Sequence, residues 1–306
     1  MFPTTNSSQT IIDCFLQEAE RLGIEIRTHH AVTAIEPRQE GYMVLLQNGL
    51  ALAANTVVLA CGGYNQLLQY SWLQNLALTI EPPVPSLFTF NAKEHRLKSL
   101  MGVSASQAIV QLVGTKYQQQ GPVLITHWGL SGPAAIKLSA WVALELAAVH
   151  YQYTVRVNWL GETLEAATDK AKWMKQHQPK QKLTKNIFEQ IPQRLWDWVL
   201  QETKIDTQQN WADINTKQWQ QACQLFTQFT MPCEGKTTYK EEFVTAGGIA
   251  LQEIDVATMQ LKKWPGIFVA GEVMNTDGVT GGFNFQNAWT TAFIAAKAIA
   301  STSVDD

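Results

Sequence analysis

The segment from Gly271 to Ala288 constrains the fold of this chain more than any other stretch. An apolar run, Gly266 to Ala270, leads into Gly271-Glu272, a polar loop, the pair Gly281-Gly282 and a helical pattern. Glycines let a ligand approach the backbone closely, and the free N–H groups at a helix start favour an anion or an electron-rich ring edge. A tight loop alone would also use glycines. Strand, acidic residue, loop and helix start together nevertheless predict a ligand-binding site.

A helix followed by short strands is predicted at the start of the chain. Ser7 or Ser8 can cap the helix, Gly23 suits its end, and Asn48-Gly49 is a strong hairpin signal. The predicted strands are Ile24–Arg27, Ala31–Ile35, Tyr42–Leu46, Leu50–Ala53 and Thr56–Ala60. Since the last run is continuously apolar, we expect it to be buried on both faces of a parallel sheet.

The middle of the chain has a different composition. Prolines in Glu81 to Ser86 indicate a crossing between structural units. The strand-like pieces that follow are Ser86–Phe90, Ala108–Val113, Val123–Thr126 and Tyr153–Trp159. A charged, glutamine-rich helical stretch comes next and holds Trp173, Trp196, Trp198, Trp211 and Trp219. Trp219, Ala222, Phe226 and Phe229 fall on one helical face, which favours an aromatic core over a tryptophan-lined ligand site. We therefore predict one discontinuous domain, residues 1–80 and 241–306, interrupted by an inserted domain, residues 81–240.

Charge and cysteine content argue against several classes of protein. The 306 residues include 23 Lys+Arg and 26 Asp+Glu, so the net charge is -3 and nucleic acid or an anionic membrane is not an expected partner. The four cysteines form no C-x-x-C pair and the histidines show no ligand spacing, so neither a metal site nor a disulfide framework is expected. No signal peptide or membrane-spanning run is visible, which predicts a soluble, cytoplasmic protein.

Motifs across the chain carry a family resemblance. They are Phe243–Ile249, Thr258-Met259, Pro265-Gly266, Gly271-Glu272, Asp277-Gly278, Thr280–Gln286, Thr126–Pro133, Phe2-Pro3 and Cys61–Gly63. With these motifs the chain resembles the bacterial BaiN/YhiN-like flavoproteins, which are FAD-dependent oxidoreductases related to aminoacetone oxidase. The resemblance implies an α/β fold class with an α+β insert: an incomplete Rossmann-like FAD domain with an inserted strand-plus-helix domain.

The same resemblance implies roles for particular residues. Glu272 would accept hydrogen bonds from the ribityl hydroxyls of FAD, and Gly281–Gln286 would face the isoalloxazine ring. Val32 would approach the adenine, while Cys61 and Gly62 would line the adenosine side. The implied cofactor-binding residues are Val32, Cys61, Gly62, Gly271, Glu272, Asp277, Gly281, Gly282, Asn284, Phe285 and Gln286. A helix start beside the flavin would stabilise the negative charge that accumulates there on reduction.

The sequence also departs from the family pattern. Members carry a G-x-G-x-x-G turn that binds the pyrophosphate, but no two glycines stand at positions i and i+2 in this chain. The segment after Gly63 also lacks the glycine-rich turn of its relatives. We therefore expect that the sequence begins about one βαβ unit late, as a fragment or a truncated gene product. On this basis the chain alone is expected to bind FAD weakly or not at all.

His127 is the candidate catalytic residue. It is expected at a strand-to-helix turn in which Gly129 allows the bend, Ser131 caps the helix and Pro133 starts it. It could act as an acid, a base or a substrate anchor, but the motif serves equally well as a helix entry. Gly129–Pro133 lacks the G-x-S-x-G spacing of a hydrolase nucleophile.

These features predict a FAD-dependent oxidoreductase. It would transfer a hydride between flavin and a small organic substrate, or NADH or NADPH. The alternative is a truncated, non-catalytic remnant or an interaction protein that does not hold FAD on its own.

Overall fold

The computed structural model describes residues 3–92, 96–237 and 244–302. Two compact units divide the chain: Met1–Val57 with Ser71–Ala77, and Val58–Tyr70 with Leu78–Asp306. These bounds differ from the predicted domains, 1–80 with 241–306 and 81–240, which stay a prediction. The predicted boundary at 240 lies outside the described residues, as do Phe2, His95 and Phe243.

The smaller unit combines one helix with an antiparallel three-stranded sheet. Its elements are α1 (Gln9–Arg21), β1 (Val32–Pro37), β2 (Tyr42–Leu46) and β3 (Ala51–Ala54), with the strands in that order in the sheet. The amide N–H of Leu50 donates to Asn48 Oδ1 at 3.1 Å, which closes the predicted hairpin. The prediction of a strand at Ile24–Arg27 is wrong. The segment is irregular, because none of the described strands pairs with it, and both of its isoleucines are exposed.

The remaining elements follow from residue 57 onward. The strands are β4 (Val57–Leu59), β5 (Ile80–Ser86), β6 (Thr89–Asn91), β7 (Ser104–Ala105), β8 (Ile109–Leu112), β9 (Gln118–Gln120), β10 (Val123–Thr126), β11 (Gly129–Ser131), β12 (Gln152–Asn158), β13 (Phe229–Glu234), β14 (Lys236–Thr237), β15 (Val244–Ile249), β16 (Ile254–Asp255), β17 (Gln260–Leu261) and β18 (Ile267–Val269). The helices are α2 (Pro133–Trp141), α3 (Ala143–Ala148), α4 (Leu164–His177), α5 (Gln193–Glu202), α6 (Thr216–Thr227) and α7 (Phe283–Thr302). Short 3-10 helices cover Leu67–Leu76, Lys98–Leu100, Trp211–Asp213, Leu251–Glu253 and Gly271–Val273.

Four sheets order the strands of this larger part. The strand orders are β14-β6-β11-β10-β7, β13-β12-β8-β9, β15-β5 and β16-β17-β18-β4. The proline-rich stretch forms a strand, β5, in keeping with the extended backbone that its prolines favour, and the predicted crossing between units at this point stays a prediction. Among the described strands it pairs with β15 alone, and a strand with a single neighbour tolerates prolines because its other edge needs no N–H donors.

Strand β4 is another correction. The sequence predicts burial on both faces, but β4 lies at the edge of its sheet beside β18, and Val58 is exposed. A continuous apolar run shows that a strand is favoured, but its position in the sheet decides how many faces are covered.

The hydrophobic core of the middle region is aromatic, as the helical pattern predicts. Trp196, Trp211, Trp219 and Phe226 are all buried in one cluster. Trp173 is the exception and is exposed. Phe229 is buried but does not extend the helical face as predicted, because α6 ends at Thr227 and Phe229 begins β13. Within the described residues, no helix is both long and apolar enough to cross a membrane.

Candidate cofactor site at the ends of two strands

Two of the sequence motifs lie side by side because the strands that precede them are neighbours. Strand β4 leads into Cys61–Gly63, and β18 leads into Gly271-Glu272. The amide N–H of Ala270 donates to the carbonyl of Leu59 at 2.9 Å. A Cβ placed on Gly63 would stand 3.3 Å from the Glu272 carbonyl oxygen. We call Cys61–Gly63 and Gly271-Glu272 the strand-end cradle.

The carboxylate of Glu272 gives the cradle its chemistry. The side chain is half-buried, and burial raises its pKa. Among the described residues, no hydrogen bond or ion pair reaches this carboxylate. A carboxylate removed from water needs donors to offset the lost hydration. A ligand with hydroxyl or N–H groups would supply them.

Gly271 and the following loop are tied into the protein. The Gly271 N–H donates to Thr291 Oγ1 on α7 at 3.0 Å, so this glycine joins the loop to the helix. The Asn284 amide accepts from the Gly278 N–H at 2.7 Å and donates to its carbonyl at 3.0 Å. Asn284 therefore clamps the loop, which is a role that its sequence position does not reveal.

Asp277 is engaged at another point of the same loop. Its carboxylate accepts a hydrogen bond from the buried Ser86 hydroxyl at 2.6 Å. Ser86 ends β5, so the bond links that strand to the loop. The predicted contact of Asp277 with a cofactor stays a prediction.

The start of α7 is open, in keeping with the predicted glycine pair. Gly282 has φ +88°, and no heavy atom stands within 4 Å of the Cβ it lacks. Gln286 N donates to Gly282 O at 3.0 Å as the first turn closes. Gly281, Phe285 and Gln286 are exposed, and the Gln286 amide donates to Thr290 Oγ1.

These residues fit part of FAD. The open carboxylate of Glu272 suits ribityl hydroxyls, and the free start of α7 suits the electron-rich edge of the flavin ring. The sequence has no G-x-G turn for the pyrophosphate. The residues at the cradle and at the start of α7 therefore fit the ribityl chain and the flavin ring, but the sequence offers no matching turn for the pyrophosphate.

His127 lies elsewhere, at the tip of a β-hairpin and not at the predicted strand-to-helix turn. Strands β10 and β11 pair antiparallel, Thr126 faces Gly129, and His127 packs against Trp128. Gly129 is needed for close approach, because its Cβ would collide with the Phe90 carbonyl on β6.

The helix entry after this hairpin also differs from the prediction. Gly132, with φ +92°, takes the position before α2 that was predicted for Ser131, and Ser131 instead ends β11. The prediction for Pro133 at the helix start is confirmed. The hydrogen bonds described for the cradle and its loop do not include His127, whose catalytic role stays a prediction.

The other predicted residues are more scattered. Val32 begins β1 in the smaller unit and is exposed. All four cysteines are free, with Cys61 exposed. In the part of the chain that the structure describes, no group of three or more His, Cys, Asp or Glu side chains could hold a metal ion.

Sequence reasoning missed residues that the tertiary structure adds to the cradle. Gly63 lies beside Glu272, so close that an added Cβ would stand 3.3 Å from the Glu272 carbonyl oxygen, and Ser86 holds Asp277 in the loop that follows. Tyr70 lies close enough to Cys61 and Glu272 for both to raise its pKa, with burial as the main cause. Gly63 could have been found from the Cys61-Gly62-Gly63 motif, whereas Ser86 and Tyr70 carry no sequence signal.

Comparison with known proteins identifies the family. The HI0933-like protein Rossmann domain matches residues 1–298. The chain belongs to this family. The mixed α/β fold class with a Rossmann-type domain is thereby confirmed.

Three relatives give the family a chemical context. The ribosomal RNA dihydrouridine synthase of Escherichia coli is 27% identical over 303 residues, 95% of this chain and 72% of its own length. The 3-dehydro-bile acid delta(4,6)-reductase of Clostridium scindens is 25% identical over 314 residues, 98% of this chain and 75% of its own length. The ribosomal RNA dihydrouridine synthase of Haemophilus influenzae is 26% identical over 306 residues, 95% of this chain and 73% of its own length. At the level of the family, these matches support a FAD-type oxidoreductase that binds flavin.

Proposed function

We propose that this chain is a FAD-dependent oxidoreductase that transfers a hydride between flavin and a small organic substrate, with NADH or NADPH as electron donor. The observation that carries the proposal is the half-buried Glu272 carboxylate, which has no donor among the described residues and lies at the end of β18. In a flavin site this carboxylate would accept hydrogen bonds from hydroxyl groups of the cofactor.

Each group of predicted site residues has a role in this proposal. FAD, when bound, supplies the hydride chemistry. Glu272 would orient the cofactor, and the start of α7 at Gly281–Gln286 would stabilise negative charge on the reduced ring. Cys61 and Gly62 would line the adenosine side, and Val32 would approach the adenine. His127 would hold or move a proton on the substrate.

The names of the relatives support reduction of an unsaturated ring. A dihydrouridine synthase and a bile-acid delta(4,6)-reductase share the addition of hydrogen across carbon–carbon double bonds. We therefore propose an activated double bond as the acceptor. The net charge of -3 favours a small molecule over RNA. A cytoplasmic location is part of the same proposal.

A flavin titration tests the cofactor site. Binding of FAD to the chain would be followed by quenching of flavin fluorescence. Glu272→Gln removes the acceptor charge while keeping the shape, and hydrogen bonds to charged groups contribute about 1.5–3 kcal/mol, so affinity should fall about 10- to 100-fold. Glu253→Gln is the matched control, because that carboxylate is already bonded to Thr79. The missing G-x-G turn predicts weak binding, so the titration must extend to high FAD concentrations. Complete absence of binding, or equal affinity in all three proteins, would contradict the proposal and favour the second candidate given below.

A second experiment tests the substrate. With FAD and NADH or NADPH under anaerobic conditions, a small cyclic enone and a uridine-containing ribosomal RNA would be compared as oxidants of the reduced flavin. We expect the enone to reoxidise the flavin. Reoxidation by the RNA and not by the enone would contradict the proposed small-molecule substrate. It would indicate instead that this chain has the activity for which two of the relatives are named.

One observation favours the second candidate, an interaction protein that does not hold FAD. Large apolar side chains along α7 are exposed, with Phe285 at 72% and Phe293 at 64%. Exposed apolar surface of this kind is typical of binding faces. Colourless purified protein that cannot be loaded with FAD would favour this candidate.

A further inference from the structure

Two tyrosines fasten the turn that follows β4. The rings of Tyr64 and Tyr70 meet edge to face with centroids 4.8 Å apart. The Tyr70 phenolic oxygen accepts a hydrogen bond from the Tyr64 backbone N–H at 3.3 Å. Tyr70 is buried. The contact therefore fixes both the ring and the backbone of Tyr64.

This fastened turn is one wall of the strand-end cradle. Gly63 directly precedes Tyr64, and a Cβ at Gly63 would stand 3.3 Å from the Glu272 carbonyl and 3.6 Å from Thr245 Cβ. Cys61 begins the same turn, and its thiol interacts with the Tyr64 hydroxyl. Tyr70 thus acts on the backbone that packs against Glu272.

A glycine pair makes this turn costly to order. Gly62 has φ +75°, a conformation that glycine adopts freely. If the turn were loose, binding a ligand would have to order it, and affinity would fall by that entropy. A hydrogen bond from Tyr64 to a buried phenol orders the turn in advance.

We propose that Tyr70 is a positioning residue of the cofactor site, whose buried phenol holds the Cys61–Tyr64 turn against Glu272 before flavin binds. The identity of the ligand rests on the proposed function, whereas the effect on the turn does not. Neither Tyr70 nor Tyr64 carries a role in the family motifs quoted above.

The reactivity of Cys61 reports on the turn without any flavin. Cys14 and Cys61 are the exposed cysteines, and Cys223 and Cys233 are buried, so a Cys14→Ser background leaves Cys61 as the accessible thiol. Tyr70→Phe removes only the phenolic oxygen and keeps the ring contact. Loss of one hydrogen bond should raise the rate of Cys61 alkylation by iodoacetamide about fivefold.

Tyr153→Phe is the matched control. The Tyr153 hydroxyl is buried and has no hydrogen-bond partner among the described residues, so its removal should leave the alkylation rate unchanged. Far-UV circular dichroism verifies that both variants fold. An unchanged rate in Tyr70→Phe, or an equal rise in both variants, overturns the proposal.

Flavin titration of the same variants tests the link to the cofactor. FAD affinity should fall about fivefold in Tyr70→Phe and stay unchanged in Tyr153→Phe. Faster alkylation with unchanged FAD affinity overturns the positioning role while the proposed function stands. Faster alkylation in a chain that binds no FAD at all overturns the proposed function, and the cofactor role of Tyr70 with it.

Discussion

The helices of the middle region and the start of α7 use large aromatic side chains in opposite ways. In the middle region, Trp196 stacks on Phe226 at 5.7 Å and lies 6.0 Å from Trp219, and all three are buried. On α7, Phe285 and Trp289 are exposed. Burial decides how much such a side chain stabilises a fold. The middle region is therefore built for stability, whereas the exposed face of α7 is left available for contacts.

The largest difference in the free energy of unfolding should appear when one tryptophan in each region is replaced by alanine. Trp196→Ala removes a buried indole whose N–H donates to the Leu183 carbonyl at 2.8 Å. It should lower the free energy of unfolding by about 3–5 kcal/mol, measured by urea denaturation. Trp289→Ala, on the exposed face of α7, should change it by less than about 0.5 kcal/mol. Equal losses would abolish the distinction between the two regions.

A smaller effect is expected where β5 holds the cradle loop. Ser86→Ala removes the donor to Asp277, and the free energy of unfolding should fall by about 1 kcal/mol in thermal or urea denaturation. Asp277→Asn is the control, because its amide oxygen can still accept from Ser86, so its loss should be smaller. A larger loss in Asp277→Asn would show that the charge of Asp277, and not the hydrogen bond, matters.

The smallest effect should be a pH dependence of opposite sign at two carboxylates. The Thr79 hydroxyl, which donates to Glu253 at 2.6 Å, lowers the Glu253 pKa, with smaller contributions from the Thr79 N–H and Lys263. Ionised Glu253 therefore stabilises the fold above the usual glutamate pKa of about 4.3, and this contribution is lost as the pH falls through its lowered pKa. Glu253→Gln should lower the urea midpoint at pH 7 and have little effect in acid.

Glu272 should behave in the opposite way. Burial raises its pKa, so the protonated form is favoured in the folded chain, and the stability this gives is lost as the pH rises through the raised pKa. Glu272→Gln should therefore raise the urea midpoint of the flavin-free chain at pH 7, and the difference should vanish below about pH 4.3. A lowered midpoint at pH 7 would mark Glu272 as a structural acid.

Local patterns predicted much of the secondary structure and part of the site. Tyr42–Leu46 and Val123–Thr126 form the predicted strands, and α7 begins directly after Gly281-Gly282. The predictions that failed depend on distant partners: Ile24–Arg27 has no pairing strand among those described, and His127 stands on a hairpin because β11 pairs with both β10 and β6. Sequence periodicity reports which side of an element is apolar, but it does not report which neighbour will cover that side.

The sequence by itself determined the strand, acid, loop and helix of Gly266–Ala288, because the glycines and the helix start are local properties of the chain. Only the tertiary structure decided that Gly63 lies against Glu272, that Ser86 holds Asp277 and that Tyr70 supports the turn after β4. Ser86 and Asp277 are separated by 191 positions. Contacts at such separations depend on the order of strands in a sheet, and strand order is fixed by the packing of the whole domain rather than by any local segment.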